Sequence, residues 1–229
     1  MAIALVTGQH AYTLPNGADP VTVDFPGSVT TGNLLIAAVG FNTNGDIAVI
    51  TSVTSNRTTG NWACATHSAG GDVTDAIYYA VATGTGACTV TVDFTAGQAY
   101  QDVRISEFTG FTASPVLDQV AGAPGGPTGP AVTGNSPSTT ANDELIFTSG
   151  MTNSGFSGVI NTGYSLMDLT DPDNDTHGYK VVSATGVQSA SHVLGSNGSW
   201  IALLATFKAG GGGDLNISVA ECISSEAKF

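Results

Sequence analysis

The amino-acid sequence predicts an all-β protein, a two-sheet antiparallel sandwich with a short C-terminal extension. Three observations carry this. Apolar or alternating segments of strand length recur along the chain, separated by Gly, Asn, Asp and Pro. No stretch before the C-terminal region keeps a helical apolar period. The 229 residues include 30 glycines and are 41% apolar and only 10% charged, a turn-rich and strand-rich composition with enough apolar residues for a core.

The segments follow in order. Residues 2–6 are apolar throughout. Val21, Val23 and Phe25 alternate with Thr22 and Asp24, as on a half-buried strand. Residues 34–41 are almost continuously apolar, the pattern of a strand covered on both faces. Residues 46–53 follow a Thr-Asn-Gly turn signal, and 62–66, 74–82, 87–94 and 102–109 continue the series. Residues 90–94 repeat the pentapeptide of 21–25, but the flanks do not align, so this reads as convergence on one strand pattern. The Gly- and Pro-rich stretch 121–135 reads as a long loop inside one sandwich, because strand patterns resume at 144–149, 164–169, 178–184, 189–194 and 200–208. The expected body is therefore one jelly-roll-like sandwich spanning 1–208.

Charge narrows the partners. The net charge is −13 with five Lys plus Arg, which argues against nucleic acid and against an anionic membrane surface. No run of about 18 apolar residues predicts a membrane span. The first residues lack a basic segment followed by an apolar one, so no secretory signal is expected.

The last twenty residues are unlike the body. Gly210 to Gly213 form a hinge within 209–213, and the segment 214–229 then carries Leu215, Ile217, Val219, Cys222, Ile223 and Phe229. As a strand, Leu215, Ile217 and Val219 share a face; as a helix, Ser218 and Glu221 form a capping box. Either form is too short to be stable alone. The segment is read as a docking arm for the chain's own body or for a neighbouring subunit.

Candidate chemistry is sparse. Asp171, Asp173 and Asp175 stand at alternate positions, a spacing used by calcium loops, although Thr176 occupies the place where such loops want glycine; structural Ca2+ is weighed against an acidic turn. No other cofactor is expected. His10, His67, His177 and His192 form no metal-binding spacing; only His177 has acidic company. No nucleophile elbow, phosphate loop or dinucleotide fingerprint occurs, and no catalytic residue is assigned. Trp62, Tyr78 and Tyr100 are candidate glycan-stacking residues if exposed, and Trp200 is expected in the core. Three cysteines leave one without an internal partner: Cys64 and Cys88 could pair, Cys222 could capture one of them, or all three could be thiols.

Several segments resemble jelly-roll domains of bacterial surface and phage-encoded proteins, including virion decoration and accessory proteins. They are Gly32-Asn33-Leu34-Leu35-Ile36, Ile77-Tyr78-Tyr79-Ala80, residues 89–94, Arg104-Ile105-Ser106-Glu107-Phe108-Thr109-Gly110, Asn142-Asp143-Glu144-Leu145-Ile146-Phe147, and Trp200 with Ala205-Thr206-Phe207-Lys208. The resemblance implies particle decoration, adhesion or carbohydrate contact, and supplies no catalytic residues. The expectation is a non-enzymatic structural protein of a particle, a phage decoration or head-tail accessory protein. It would be made in the host cytoplasm and assemble with itself and with shell proteins through the arm. A carbohydrate-binding adhesion module at a cell surface is the alternative.

Overall fold

The computed structural model describes residues 2–42, 47–111 and 114–209. The first half contributes β1 (Ala4–Thr13), β2 (Val21–Val29), β3 (Leu34–Asn42), β4 (Ile50–Ser55), β5 (Ala63–Gly70), β6 (Val73–Val81), β7 (Gly86–Phe94) and β8 (Ala99–Thr109). The second contributes β9 (Pro115–Gly125), β10 (Ala131–Val132), β11 (Glu144–Thr152), β12 (Phe156–Ile160), β13 (Ser165–Leu169), β14 (Thr176–Val182), β15 (Ser191–Leu194) and β16 (Trp200–Ala209). All strand pairings among the described residues are antiparallel, as the sequence predicts. No helix among the described residues is long and apolar enough to cross a membrane.

The number of sheets differs from the expectation of one two-sheet sandwich: the described residues form four. The first half has an inner sheet in the order β1-β8-β3-β6-β5 and an outer sheet β2-β7-β4; the second has an inner sheet β13-β14-β11-β16-β9 and an outer sheet β10-β15-β12. Renumbering β9 to β16 as β1 to β8 converts one set of orders into the other, so the halves share one topology. The repeated pentapeptides play a different part. They are neighbours in one sheet, where Val21 faces Val92 and Val23 faces Val90, so the inward valines of two equal patterns pack side by side.

The strands follow from how many of their faces are covered. In β2 and β7 alternate residues are buried, because an outer sheet has one face to the core and one to water. In β3, β11 and β16 nearly every residue is buried. Leu35, Ala37, Val39 and Phe41 of β3 face the outer sheet with Val90, Val92 and Trp62, whereas Leu34, Ile36 and Ala38 face the other half. On β16, Ile201, Leu203, Ala205 and Phe207 face the first half, and Trp200, Ala202 and Leu204 face their own outer sheet. The two inner sheets thus pack on each other, giving four layers.

Contacts across this junction are reciprocal. Register and face align Leu34 with Leu145, Tyr79 with Tyr179 and Phe108 with Phe207 in the two inner sheets. Tyr79 meets Phe207 edge to face at 5.1 Å, and Tyr179 meets Phe108 in the same way at 5.3 Å. The junction is therefore built like the isologous interface of a twofold dimer, within one chain.

A shared core predicts shared unfolding. Phe207→Ala is expected to lower stability by about 3–5 kcal/mol. In a Trp200→Phe background, where Trp62 of the first half is the sole tryptophan reporter, the same substitution should move the Trp62 fluorescence transition in denaturant by the same amount. A Trp62 transition left in place would mean that the halves unfold independently.

Candidate functional site at the junction of the two halves

Between the apolar contacts the junction carries polar groups that an aliphatic junction would not need. Arg104 on β8 is fully buried and reaches into the second half. Its Nη1 donates to the carbonyl oxygens of Gly150 (3.0 Å) and Thr176 (2.6 Å), and Nη2 donates to Asp75 Oδ1 at 3.1 Å. Nε lies 3.1 Å from Asp102 Oδ1 in an ion contact that lacks hydrogen-bond alignment. Ser149 Oγ donates to Asp75 Oδ2 at 2.5 Å, Thr170 Oγ1 to Asp102 Oδ2 at 3.3 Å, and the Thr152 amide to Asp175 Oδ1 at 2.8 Å.

One guanidinium cannot neutralise three buried carboxylates, so protons complete the balance. Burial raises Asp75 to about 6 against the pull of Arg104, and burial raises Asp102 as well. Burial, reinforced by the charge of Asp102, holds Asp175 well above the usual carboxylate range. His192, also fully buried, accepts or donates through both ring nitrogens to Thr148 Oγ1 (2.9 Å) and Thr176 Oγ1 (2.8 Å). Burial first, and Arg104 second, push its pKa down to about 3, so the ring is neutral.

A second polar group sits at a corner of the junction, where the edge strands β1 and β13 meet. His10 Nδ1 lies 2.8 Å and His177 Nε2 2.7 Å from the same oxygen, Asp168 Oδ2. Burial would raise Asp168, but the hydrogen bonds of His177 and then His10 hold it below the usual range. Burial lowers His177 to about 4 even against Asp168. Its Nδ1 has no hydrogen-bond partner among the described residues, so Asp168 is the polar anchor of this ring.

At another edge of the junction a polar cavity of about 400 Å³ opens between the halves, lined by Asn42 and Tyr100 from the first and by Asn153, Ser154, Asp173 and Asn174 from the second. Tyr100 stands at 55% exposure, with φ 48° and its amide donating to Asn16 Oδ1. Burial raises the Asp173 carboxyl.

The residues singled out from sequence are placed as follows. Asp171, Asp173 and Asp175 are not gathered into a cage: Asp171 is exposed, Asp173 lines the cavity and Asp175 is buried beside Arg104. The loop is closed instead by Thr170, whose amide donates to Asp175 O and whose carbonyl accepts from Asn174 N. Trp62 and Tyr78 cannot stack on a glycan, because both are buried in the core of the first half, where Trp62 Nε1 donates to Thr58 Oγ1; Tyr100 alone of the three faces solvent. Trp200 is a core residue, as expected. Cys88 is a free, buried thiol on the outer-sheet strand β7, so Cys64 and Cys88 are not joined. Leu215, Ile217, Val219, Cys222, Ile223 and Phe229, with the hinge Gly210 to Gly213, lie outside the described residues.

The histidine-aspartate corner was missed by spacing because its members are 158 and nine positions apart. The Arg104 network was missed because its carboxylates lie on β6, on β8 and in the turn before β14, far apart in the chain. The one available signal was the charge pair in Asp102-Val103-Arg104, set inside an otherwise strand-like run.

No family model matches the chain, and no curated protein matches it. Among solved structures, the crystal structure of the major capsid protein P2 from bacteriophage PM2 is similar at 8% identity, covering 90% of this chain and 100% of that one with a TM-score of 0.26. At that score the likeness carries no argument.

Two substitutions test the buried network. Arg104→Leu places at this position the residue that its register equivalent, Leu203, already is, but strands three carboxyls; a loss of about 3–5 kcal/mol is expected in urea melts at pH 7. Asp75 contributes to stability in the opposite sense to an acid whose folded pKa is lowered. Its folded pKa is raised from 3.8 to about 6, so the stability it contributes is complete below 3.8 and is lost as pH rises through 6. His192, lowered from 6.5 to about 3, contributes stability above 6.5 that is lost on acidification, and partly masks this in the wild type. Comparison with Asp75→Asn isolates it: the stability difference, wild type minus variant, should be more favourable to the wild type at pH 5 than at pH 7.5 by roughly 1 kcal/mol. A difference independent of pH would refute the assignment.

Proposed function

We propose that this chain is a non-enzymatic building block of a particle, in the sense of a phage decoration or head-tail accessory protein, that docks on other copies or on shell proteins. The observation that carries this reading is the inequality of the two outer sheets. They share one topology, yet β2, β7 and β4 turn Thr22, Asp24, Thr89, Thr91 and Asp93 outward, and Ser52 Oγ donates to Asp93 there at 2.5 Å. Their counterparts β10, β12 and β15 leave Val132, Val159 and Val193 at 42%, 53% and 42% exposure on adjacent strands. A free outer face needs no valines, since each forfeits roughly 1 kcal/mol while it faces water. A face that meets a neighbour gains from them.

Two further features support the reading. The four-layer body joins its halves through a continuous core, the stiffness a particle component requires. The last described strand ends at Ala209 opposite Pro115, beside a cavity of about 330 Å³ that Pro115 and Val116 line, and the apolar arm read from sequence follows it in the chain.

The test is assembly of the full chain, followed by sedimentation and by binding to purified particles. Val132→Asp with Val193→Asp should weaken association more than tenfold, and Leu215→Asp with Ile217→Asp should do the same through the arm. If both double variants assemble like the wild type, the reading fails. Tyr100 at the lip of the polar junction cavity favours a second reading, saccharide binding by a single copy. Loss of glycan retention in Tyr100→Ala, with assembly unaffected, would select it.

A further inference from the structure

We propose that His10, Asp168 and His177 form a binding site for a borderline divalent transition metal, with Zn2+ the best match, at the corner where the two halves meet. The geometry is that of a converged ligand set. Three side chains from β1, β13 and β14 offer one ligand atom each, all within 4.8 Å of one another. Two imidazole nitrogens and one carboxylate oxygen suit zinc and its neighbours over calcium or magnesium, which take oxygen cages. Around a tetrahedral zinc with bonds of about 2.0–2.1 Å the ligand atoms stand about 3.3 Å apart, so the 2.7 and 2.8 Å contacts must open by roughly half an ångström and the two histidine nitrogens, now within 4.8 Å of each other, must take up the same spacing. His177 is wholly buried and His10 is 28% exposed, which leaves a fourth position on the solvent side for water or for a group from a partner.

The molecule carries its own control. The reciprocal corner, where β9 meets β5, has the same frame. A bulge before Thr66 in β5 matches the bulge before Asp168 in β13, and β1 and β9 are both interrupted before His10 and Val120. By register His10, Asp168 and His177 correspond to Val120, Thr66 and Ile77. At these three positions the reciprocal corner carries no ionisable side chain, so the two bulges alone do not account for the trio. A structural requirement of the frame would have appeared twice. With one ligand from the first half and two from the second, a bound ion would clamp the halves together.

The experiment is titration of chelator-treated, full-length protein with ZnCl2, followed by calorimetry and thermal melting, with CaCl2 and MgCl2 as controls. The wild type should bind one Zn2+ per chain and melt at a higher temperature with zinc, because the ion binds only the folded form. Calcium and magnesium should leave the melt unchanged. His10→Gln, which keeps a hydrogen-bonding side chain on Asp168 but offers no imidazole, should retain the metal-free melting temperature and lose more than about tenfold in zinc affinity. Asp168→Asn should lose zinc as well; if that variant does not fold, His10→Gln decides. Absence of zinc uptake by the wild type overturns the proposal, and so does uptake undiminished in His10→Gln. In either case the trio is a hydrogen-bonded corner only.

Discussion

The inner sheets of this protein have no face that could be left in water, and the rest of the structure depends on that constraint. Leu34, Ile36 and Ala38 alternate with Leu35, Ala37 and Val39, so covering one side of β3 exposes the other. A two-sheet sandwich would satisfy half of these residues. The chain meets the demand by making two sandwiches and pressing their apolar inner sheets together, which turns a duplicated topology into one four-layer body. The reciprocal Tyr79–Phe207 and Tyr179–Phe108 contacts are the geometric record of that solution.

Because the halves are built on one frame, each serves as a reference for the other, and departures from the shared pattern point to properties the frame does not need. Leu203 occupies in the second half the position that Arg104 occupies in the first. The Arg104 network is thus an addition that ties the halves together: two backbone carbonyls of the second half accept from it at 3.0 and 2.6 Å, bonds a leucine cannot make. Its desolvation cost is offset by protonation of the surrounding acids and not by charge pairing alone. The same comparison isolates the His10, Asp168 and His177 corner and the valine-bearing outer sheet.

Much of the strand structure was legible in the sequence, since alternation in 21–25 and 90–94 and continuous apolar runs in 34–41 and 200–207 report the number of covered faces. The same runs held the clue to four layers, because strands buried on both sides are out of place in a lone antiparallel sandwich. The clue was masked by the divergence of the repeat. Tyr79 and Tyr179 match, but Ile77 faces His177 in the alignment and Arg104 faces Leu203, so no residue-level period survives. The candidate site was less legible. Asp171, Asp173 and Asp175 are close in sequence, yet the turn closed by Thr170 sends Asp175 into the core.

By itself the sequence determined the strand class, the acidic and cation-poor surface, and the presence of an apolar segment after the glycines. These are local or additive properties that need no knowledge of neighbours. Only the tertiary structure decided which aromatic residues are buried, which carboxylates share a cation, and that His10 meets Asp168 and His177. Those outcomes depend on pairing between strands far apart in the chain, and a register shift of one residue would send each of these side chains to the opposite face.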